Sequence, residues 1–189
     1  SIPEKNLIGE VQMSLAPMNY DFGNASNYSF ATTITCANED ARKMFVEGFG
    51  HMLNFNHEQA IACYMKVAEL DPNCAMAYWG IAYCVSSNYN WTPGLGSGYD
   101  PIQQAISLKS GCSELEQDLI DALALRHSEE ARDAADPSVL NMGNTPELNA
   151  AFAAAMAPLY EKYKGNLDVA AIYVEALMNL KAWQLWDKN

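Results

Sequence analysis

The chain has 189 residues, of which 50% are hydrophobic and 18% are charged, and its 11 Lys and Arg against 23 Asp and Glu give a formal net charge of −12. This length and apolar content suit a single globular domain with a core of ordinary size and exclude a disordered tail. The net charge disfavours nucleic acid as a ligand, since a polyanion repels phosphates, and no apolar run is long enough to span a bilayer.

The first 37 residues differ from the rest and predict an extended, β-prone arm. Val11, Met13 and Leu15 alternate with polar residues, and the stretch 28–35 is rich in aromatic and β-branched side chains. No later segment has strand character. We therefore expect this arm to pair with itself, to pack on the helical body or to add to another chain, and we take Phe30 and Ile34 as candidate assembly residues.

From residue 38 onward, the spacing of apolar side chains predicts an all-α domain of about seven helices that extends to residue 189. Asn38 is a typical N-cap, and Ser113 with Glu116 forms the pattern of a capping box. Clusters of turn-forming residues predict a loop over 88–100 and a linker over 128–144.

One proline falls inside a predicted helix. The helix that begins at Thr145 contains Pro158, which we expect to kink or split it, because proline removes a backbone hydrogen bond and clashes with the preceding turn.

The segment 60–82 carries the most specific pattern in the chain, a small residue at Ala60, an aromatic residue at Tyr64 and a proline at Pro72. This pattern resembles the tetratricopeptide repeat (TPR), and the chain is similar to a group of often exported TPR proteins over about residues 38–187. The resemblance implies antiparallel helical hairpins stacked in TPR fashion and the binding of proteins or peptides. The repeat-packing residues that it implies are Gly48, Ala60, Tyr64, Pro72, Tyr78 and Ala82.

Covalent modification depends on the compartment. Three sequons make Asn24, Asn27 and Asn90 candidates for N-glycosylation if the protein is secreted, the localisation that the resemblance favours. The five cysteines form no C-x-x-C pair, which argues against zinc ribbons and redox motifs. In an oxidising compartment one or two disulfides are expected, with the pairing left open; the candidates are Cys36, Cys74, Cys84 and Cys112.

No motif predicts an enzyme, a cofactor or a metal centre. His57-Glu58 begins like the zinc-protease pattern, but Ile61 stands where the second histidine is needed. A minor alternative is a soft copper or zinc site on the first three helices, and its candidate ligands are His51, Met52, His57, Cys63, Met65 and Cys74. Core packing is the commoner role of such Met and Cys residues.

The C-terminal end is apolar, with Trp183 and Trp186 where a stack of hairpins normally presents a polar face. We therefore expect a non-enzymatic, exported protein-interaction scaffold that forms a homo-oligomer or polymer through its arm and helical ends. The alternative is a monomeric TPR receptor with a peptide groove lined by aromatic or Asn side chains.

Overall fold

The computed structural model describes residues 28–90, 97–133, 145–184 and 186. These residues contain eight α-helices and no strand, so the all-α prediction is confirmed. In chain order the helices are α1 (Glu39–Leu53), α2 (His57–Leu70), α3 (Ala75–Val85), α4 (Tyr99–Leu108), α5 (Glu114–Ala124), α6 (Glu129–Asp133), α7 (Pro146–Lys162) and α8 (Leu167–Met178). The five-residue helix α6 lies inside the predicted linker and accounts for the eighth helix. Within the described part of the chain, no helix is long and apolar enough to cross a membrane.

Helix α3 lies at the centre of the molecule, and all of its residues are buried. Its sequence has no polar face, which is why it packs against α2 on one side and against α4 and α5 on the other. Helix α5 also contacts α7, and α7 packs against α8. Apart from the short helix α6, which has no buried residue, the helices thus build one continuous core from α1 to α8.

The residues singled out for close packing lie in that core. Tyr64 is fully buried between Gly48 of α1 and Gly80 of α3, and a Cβ added to either glycine would stand within 2.9 Å of its ring. Ala60 and Ala82 are buried, and the Tyr78 hydroxyl donates a hydrogen bond to the Pro72 carbonyl at 3.1 Å. These contacts show why small and aromatic residues recur at these positions, while the TPR assignment itself stays a prediction.

The strand expected over 28–35 is wrong, because residues 29–32 form a turn that a bend at residue 33 follows. The Thr32 hydroxyl donates to the Tyr28 carbonyl at 2.6 Å, and the Thr33 hydroxyl donates to the Ser29 carbonyl at 3.1 Å. These local hydrogen bonds compete with an extended backbone. The other predicted strand, at Val11 to Leu15, lies outside the described residues.

Three buried or half-buried acids from later in the chain hold segment 28–37 on the helical body. Asp168 Oδ2 accepts from the Phe30 amide at 2.7 Å, Glu116 accepts from the Thr35 amide at 2.7 Å, and Asp71 accepts from the Ala37 amide at 2.7 Å. The backbone of this segment is therefore satisfied by side chains of α8, α5 and the turn after α2.

Phe30 and Ile34 are consequently not an exposed assembly surface, which corrects the expectation from sequence. Their exposed fractions are 1% and 2%. The Phe30 ring makes edge-to-face contacts with Phe45, Phe49 and Trp79, at centroid distances of 5.8 to 6.2 Å. Both side chains belong to the core of their own chain.

Pro158 does not split its helix, since α7 runs unbroken from Pro146 to Lys162. Pro158 and Ala154 are both exposed. The carbonyl four residues before the proline, which loses its helical partner, therefore lies on the solvent side of the helix, where water satisfies it.

Candidate functional site

A buried cation lies just after helix α5. Arg126 is 1% exposed, and its Nε donates a hydrogen bond to Asn149 Oδ1 at 2.8 Å, while a terminal nitrogen donates to the Ser87 carbonyl. Its guanidinium lies 5.5 Å from the ring centre of Phe152. Burial of an arginine is costly unless its donors are paired, so these contacts fix the junction of α3, α5 and α7.

Glu175 of α8 places a buried carboxyl group near this arginine. Desolvation raises the pKa of Glu175, and the charge of Arg126 partly opposes that rise. Burial likewise raises the pKa of the neighbouring Tyr83 hydroxyl well above its usual range. The cluster therefore combines a cation and a carboxyl group inside the core, where charge interactions are strong.

Two histidines flank the same region as neutral groups. Desolvation lowers the pKa of His57 to about 4, and its Nδ1 lies 3.1 Å from the Cys84 carbonyl. Desolvation and the charge of Arg126 lower the pKa of His127 to about 3. Both imidazoles are thus neutral at physiological pH and fill structural positions.

Ser86 and His127 form the one serine–histidine contact with a hydrogen-bond distance among the described residues, with 3.3 Å between Ser86 Oγ and His127 Nε2. The Ser86 hydroxyl donates to the Ala82 carbonyl at 2.8 Å, so its proton points away from the imidazole. His127 is therefore not placed to activate Ser86 as a nucleophile in this arrangement.

A cavity of about 260 Å³ is lined in part by Ser87 and Asn149, two residues that accept hydrogen bonds from Arg126. Its walls come from the end of α3, the start of α7 and the end of α8. The lining residues are Ser87, Asn88, Thr145, Pro146, Asn149, Asn179, Leu180 and Ala182. Three carboxamides in one cavity can both donate to and accept from a peptide group. The cavity has room for one or two residues of a ligand.

Helix α8 forms one edge of this cavity and has reversed polarity. Asp168 and Glu175, its only two charged residues, are buried, with exposed fractions of 3% and 5%. Its outer surface is apolar instead. Of the eight large apolar side chains that are exposed in the described residues, six lie beyond α7. Three of them are on α8, and we call them the α8 outer face: Leu167, Val174 and Leu177; the other three, Leu180, Trp183 and Trp186, lie after the helix.

The two tryptophans proposed for assembly are exposed. Trp183 is 68% exposed and Trp186 is 88% exposed. Trp183 has a φ of 62°, which is rare for a bulky residue, and its ring stacks on Tyr89 at a centroid distance of 5.4 Å. This stack holds the chain after α8 beside the end of α3.

The cysteines are all free thiols. Of the four disulfide candidates, Cys36 and Cys74 lie near each other, since each thiol affects the pKa of the other. The Cys112 thiol contacts the Leu108 carbonyl at 3.9 Å, and Cys84 is fully buried in α3.

Of the glycosylation candidates, Asn90 is exposed after the end of α3, whereas Asn24 and Asn27 lie outside the described residues.

The six residues considered for soft copper do not converge. Met52 Sδ accepts a hydrogen bond from the Tyr64 hydroxyl at 3.6 Å, His57 contacts the end of α3, and Cys74 lies beside Cys36. His51 and Cys63 do approach each other, on the facing helices α1 and α2.

Sequence reasoning missed the buried charges and the cavity residues Asn149 and Asn179. The one local signal for Glu175 is a single acid within an apolar helix, and Arg126 follows a leucine-rich stretch. Neither pattern distinguishes a buried charge from an exposed one. Comparisons of the chain with protein-family models, curated proteins and solved structures find no match.

Proposed function

We propose that this chain is a non-enzymatic protein-interaction scaffold that self-associates through the α8 outer face. The observation that carries the proposal is the reversed polarity of α8, whose acids are buried while Leu167, Val174 and Leu177 are exposed. Contiguous exposed apolar surface is typical of an interaction site. The arrangement of Ser86 and His127 supports a non-enzymatic role.

A second copy of the chain is the occupant that fits this face best. The chain as a whole carries a charge of −12, but α8 presents no charged side chain on its outer side. Two such faces can therefore meet without repulsion between like charges. Before α8, the large apolar side chains exposed in the described residues are Leu70 and Leu125 alone. A two-fold contact that pairs α8 with α8 therefore buries both apolar faces, whereas a head-to-tail contact buries one against a polar surface.

The test is the molar mass of the full chain in solution, measured by light scattering and sedimentation over a range of concentrations. We expect dimers whose dissociation constant rises at least tenfold in Val174→Lys, because a charge would be buried in the contact. Leu125→Lys is the matched control, since Leu125 is 52% exposed and Val174 is 54% exposed. Leu125→Lys is expected to leave the dimer unchanged.

A wild-type chain that stays monomeric at high concentration would contradict self-association. Equal weakening in Val174→Lys and Leu125→Lys would also contradict it, since the effect would then follow from added charge in general.

The second candidate is a monomeric peptide receptor, which the asparagine-lined cavity favours. Carboxamide side chains recognise an extended peptide backbone by paired hydrogen bonds. Selection from a displayed peptide library tests this function. Peptides that bind the wild type and Val174→Lys equally, but lose at least tenfold in affinity for Asn179→Leu, would support it, and a failure to enrich any peptide would count against it.

A further inference from the structure

Three side chains with metal-binding groups meet between α1 and α2, away from the cavity. Glu47 and His51 lie one turn apart on α1, so both project from the same side of that helix. Cys63 faces them from α2. One ligand atom from each residue lies within 4.8 Å of the others, and no other group of three such residues occurs in the part of the chain that the structure describes.

The packing of α1 on α2 creates this cluster. Gly48, next to Glu47, lies so near α2 that an added Cβ would stand 3.0 Å from Cys63 Cβ. This close approach brings the cysteine to the level of Glu47 and His51. His51 and Cys63 are buried, whereas Glu47 is half-buried and gives the cluster its access to solvent.

His51 has a partner that can orient its ring. Its Nδ1 lies 3.3 Å from the side-chain amide of Asn56 at the start of α2. The structure places the amide nitrogen of Asn56 towards Nδ1; a half-turn of this carboxamide would bring its oxygen there instead, where it would accept a proton from Nδ1. With the amide so turned, Nε2 keeps the lone pair that a metal needs, and such a hydrogen bond accompanies most histidine ligands.

The charges of the three groups suit a divalent cation. With the thiol deprotonated, one thiolate and one carboxylate offset two positive charges, and the imidazole adds none, so the buried centre is neutral. Without a cation the thiolate is disfavoured, because burial and the negative charge of Glu47 raise the pKa of Cys63 to about 12. Metal binding would therefore release the thiol proton to solvent.

We propose that Glu47, His51 and Cys63 form a binding site for a single divalent ion of the zinc class. Oxygen, nitrogen and sulfur ligands together suit a borderline-soft ion that accepts tetrahedral geometry, and exclude calcium and magnesium as preferred occupants. Three protein ligands leave a fourth position for water or an added ligand. The site differs from the soft copper set considered from sequence, since it uses Glu47 and leaves out every methionine.

The test is a titration of the full, reduced chain with Co²⁺, which substitutes for zinc and reports its ligands by absorption. We expect one Co²⁺ ion per chain and a thiolate-to-cobalt charge-transfer band in the near ultraviolet. Added Zn²⁺ is expected to displace the bound Co²⁺ and abolish the band. Cys63→Ala is expected to abolish the charge-transfer band. It retains the Cβ that packs near Gly48, and its helical circular dichroism shows whether the fold survives.

Two further variants keep the proposal falsifiable if Cys63→Ala is poorly folded. Glu47→Gln removes a half-buried ligand and is expected to weaken Co²⁺ binding at least roughly tenfold, and Asn56→Ala is expected to weaken it roughly 10–100-fold. Cys112→Ser is the matched control, because this thiol lies after α4 and outside the cluster. It is expected to bind like the wild type.

The proposal is overturned if the wild type shows no charge-transfer band with excess Co²⁺. It is also overturned if the band persists in folded Cys63→Ala, if Glu47→Gln binds as tightly as the wild type, or if Cys112→Ser loses the band. The result is independent of self-association, which Val174→Lys tests on another face of the molecule.

Discussion

Substitution of Gly80 by alanine tests the packing of Tyr64 directly. A Cβ at this position would stand 2.6 to 2.7 Å from three atoms of the Tyr64 ring. The ring cannot retreat, because Gly48 flanks its other edge, where an added Cβ would stand 2.9 Å from it, and the Tyr64 hydroxyl donates to Met52 Sδ. We therefore expect Gly80→Ala to force a shift of α3 relative to α2.

The magnitude follows from two opposing contributions. Overpacking a closed core costs about 1–3 kcal/mol, and distances this short on three ring atoms place the cost at the upper end. Alanine gains about 1 kcal/mol over glycine in a helix interior. The net loss of unfolding free energy is about 2 kcal/mol, which lowers the Tm by roughly 4–8 °C for a chain of this size.

The assay is urea denaturation followed by circular dichroism, with Gly111→Ala as the matched control. No atom lies within 4 Å of a Cβ added at Gly111, so this variant is expected to keep or slightly raise the wild-type stability. In a Tyr64→Leu background, Gly80→Ala should cost less than it does alone, because the ring has been removed. If Gly80→Ala is as stable as the wild type, or if the cost is the same in both backgrounds, the account of Tyr64 packing is wrong.

Three further predictions concern titration and redox chemistry. Burial lowers the pKa of His57 to about 4 in the folded chain, so as the pH falls the unfolded chain protonates this imidazole first. The free energy of unfolding should therefore fall between pH 6.5 and about 4, by about 3 kcal/mol in total. Urea midpoints measured across this range should fall less steeply in His57→Gln. Burial raises the pKa of Glu175, so as the pH rises the unfolded chain ionises this carboxyl first, and the folded chain loses stability above the ordinary pKa of glutamate. Glu175→Gln should therefore have a higher urea midpoint than the wild type at pH 7. This difference should disappear below pH 4. Oxidised glutathione should join Cys36 to Cys74 by thiol–disulfide exchange, with reduced glutathione as the product. Mass spectrometry of the proteolytic peptides should show this disulfide and no other. The Cys36→Ser variant should lack it.

The helices themselves were predictable from local sequence. The Asn38 side chain accepts from the amides of Asp40 and Ala41, and the capping box of Ser113 and Glu116 forms with both of its hydrogen bonds. These signals act within one turn of a helix, so they do not depend on the rest of the fold. The repeat pattern also predicted that Tyr64 lies in the core, because the small residues Gly48 and Ala60 let the two helices approach and an aromatic side chain fills the remaining gap.

The errors arose where distant residues outweigh local preference. Segment 28–35 has strand-forming residues, yet Asp168 binds its backbone from 138 residues away, and the chain turns there instead. The continuity of α7 through Pro158 depends on which side of the helix faces water. In each case the deciding contact is absent from the local sequence.

Function depended still more on tertiary structure. The sequence by itself determined an acidic, all-α chain with a closely packed first hairpin and an apolar end, because composition, helix period and capping act locally. Only the tertiary structure decided that the acids of α8 point inward, that its apolar face is exposed, and that Glu47 joins His51 and Cys63. The physical reason is that burial and ligand geometry are set by contacts between helices, and helix period alone does not specify which face meets which neighbour.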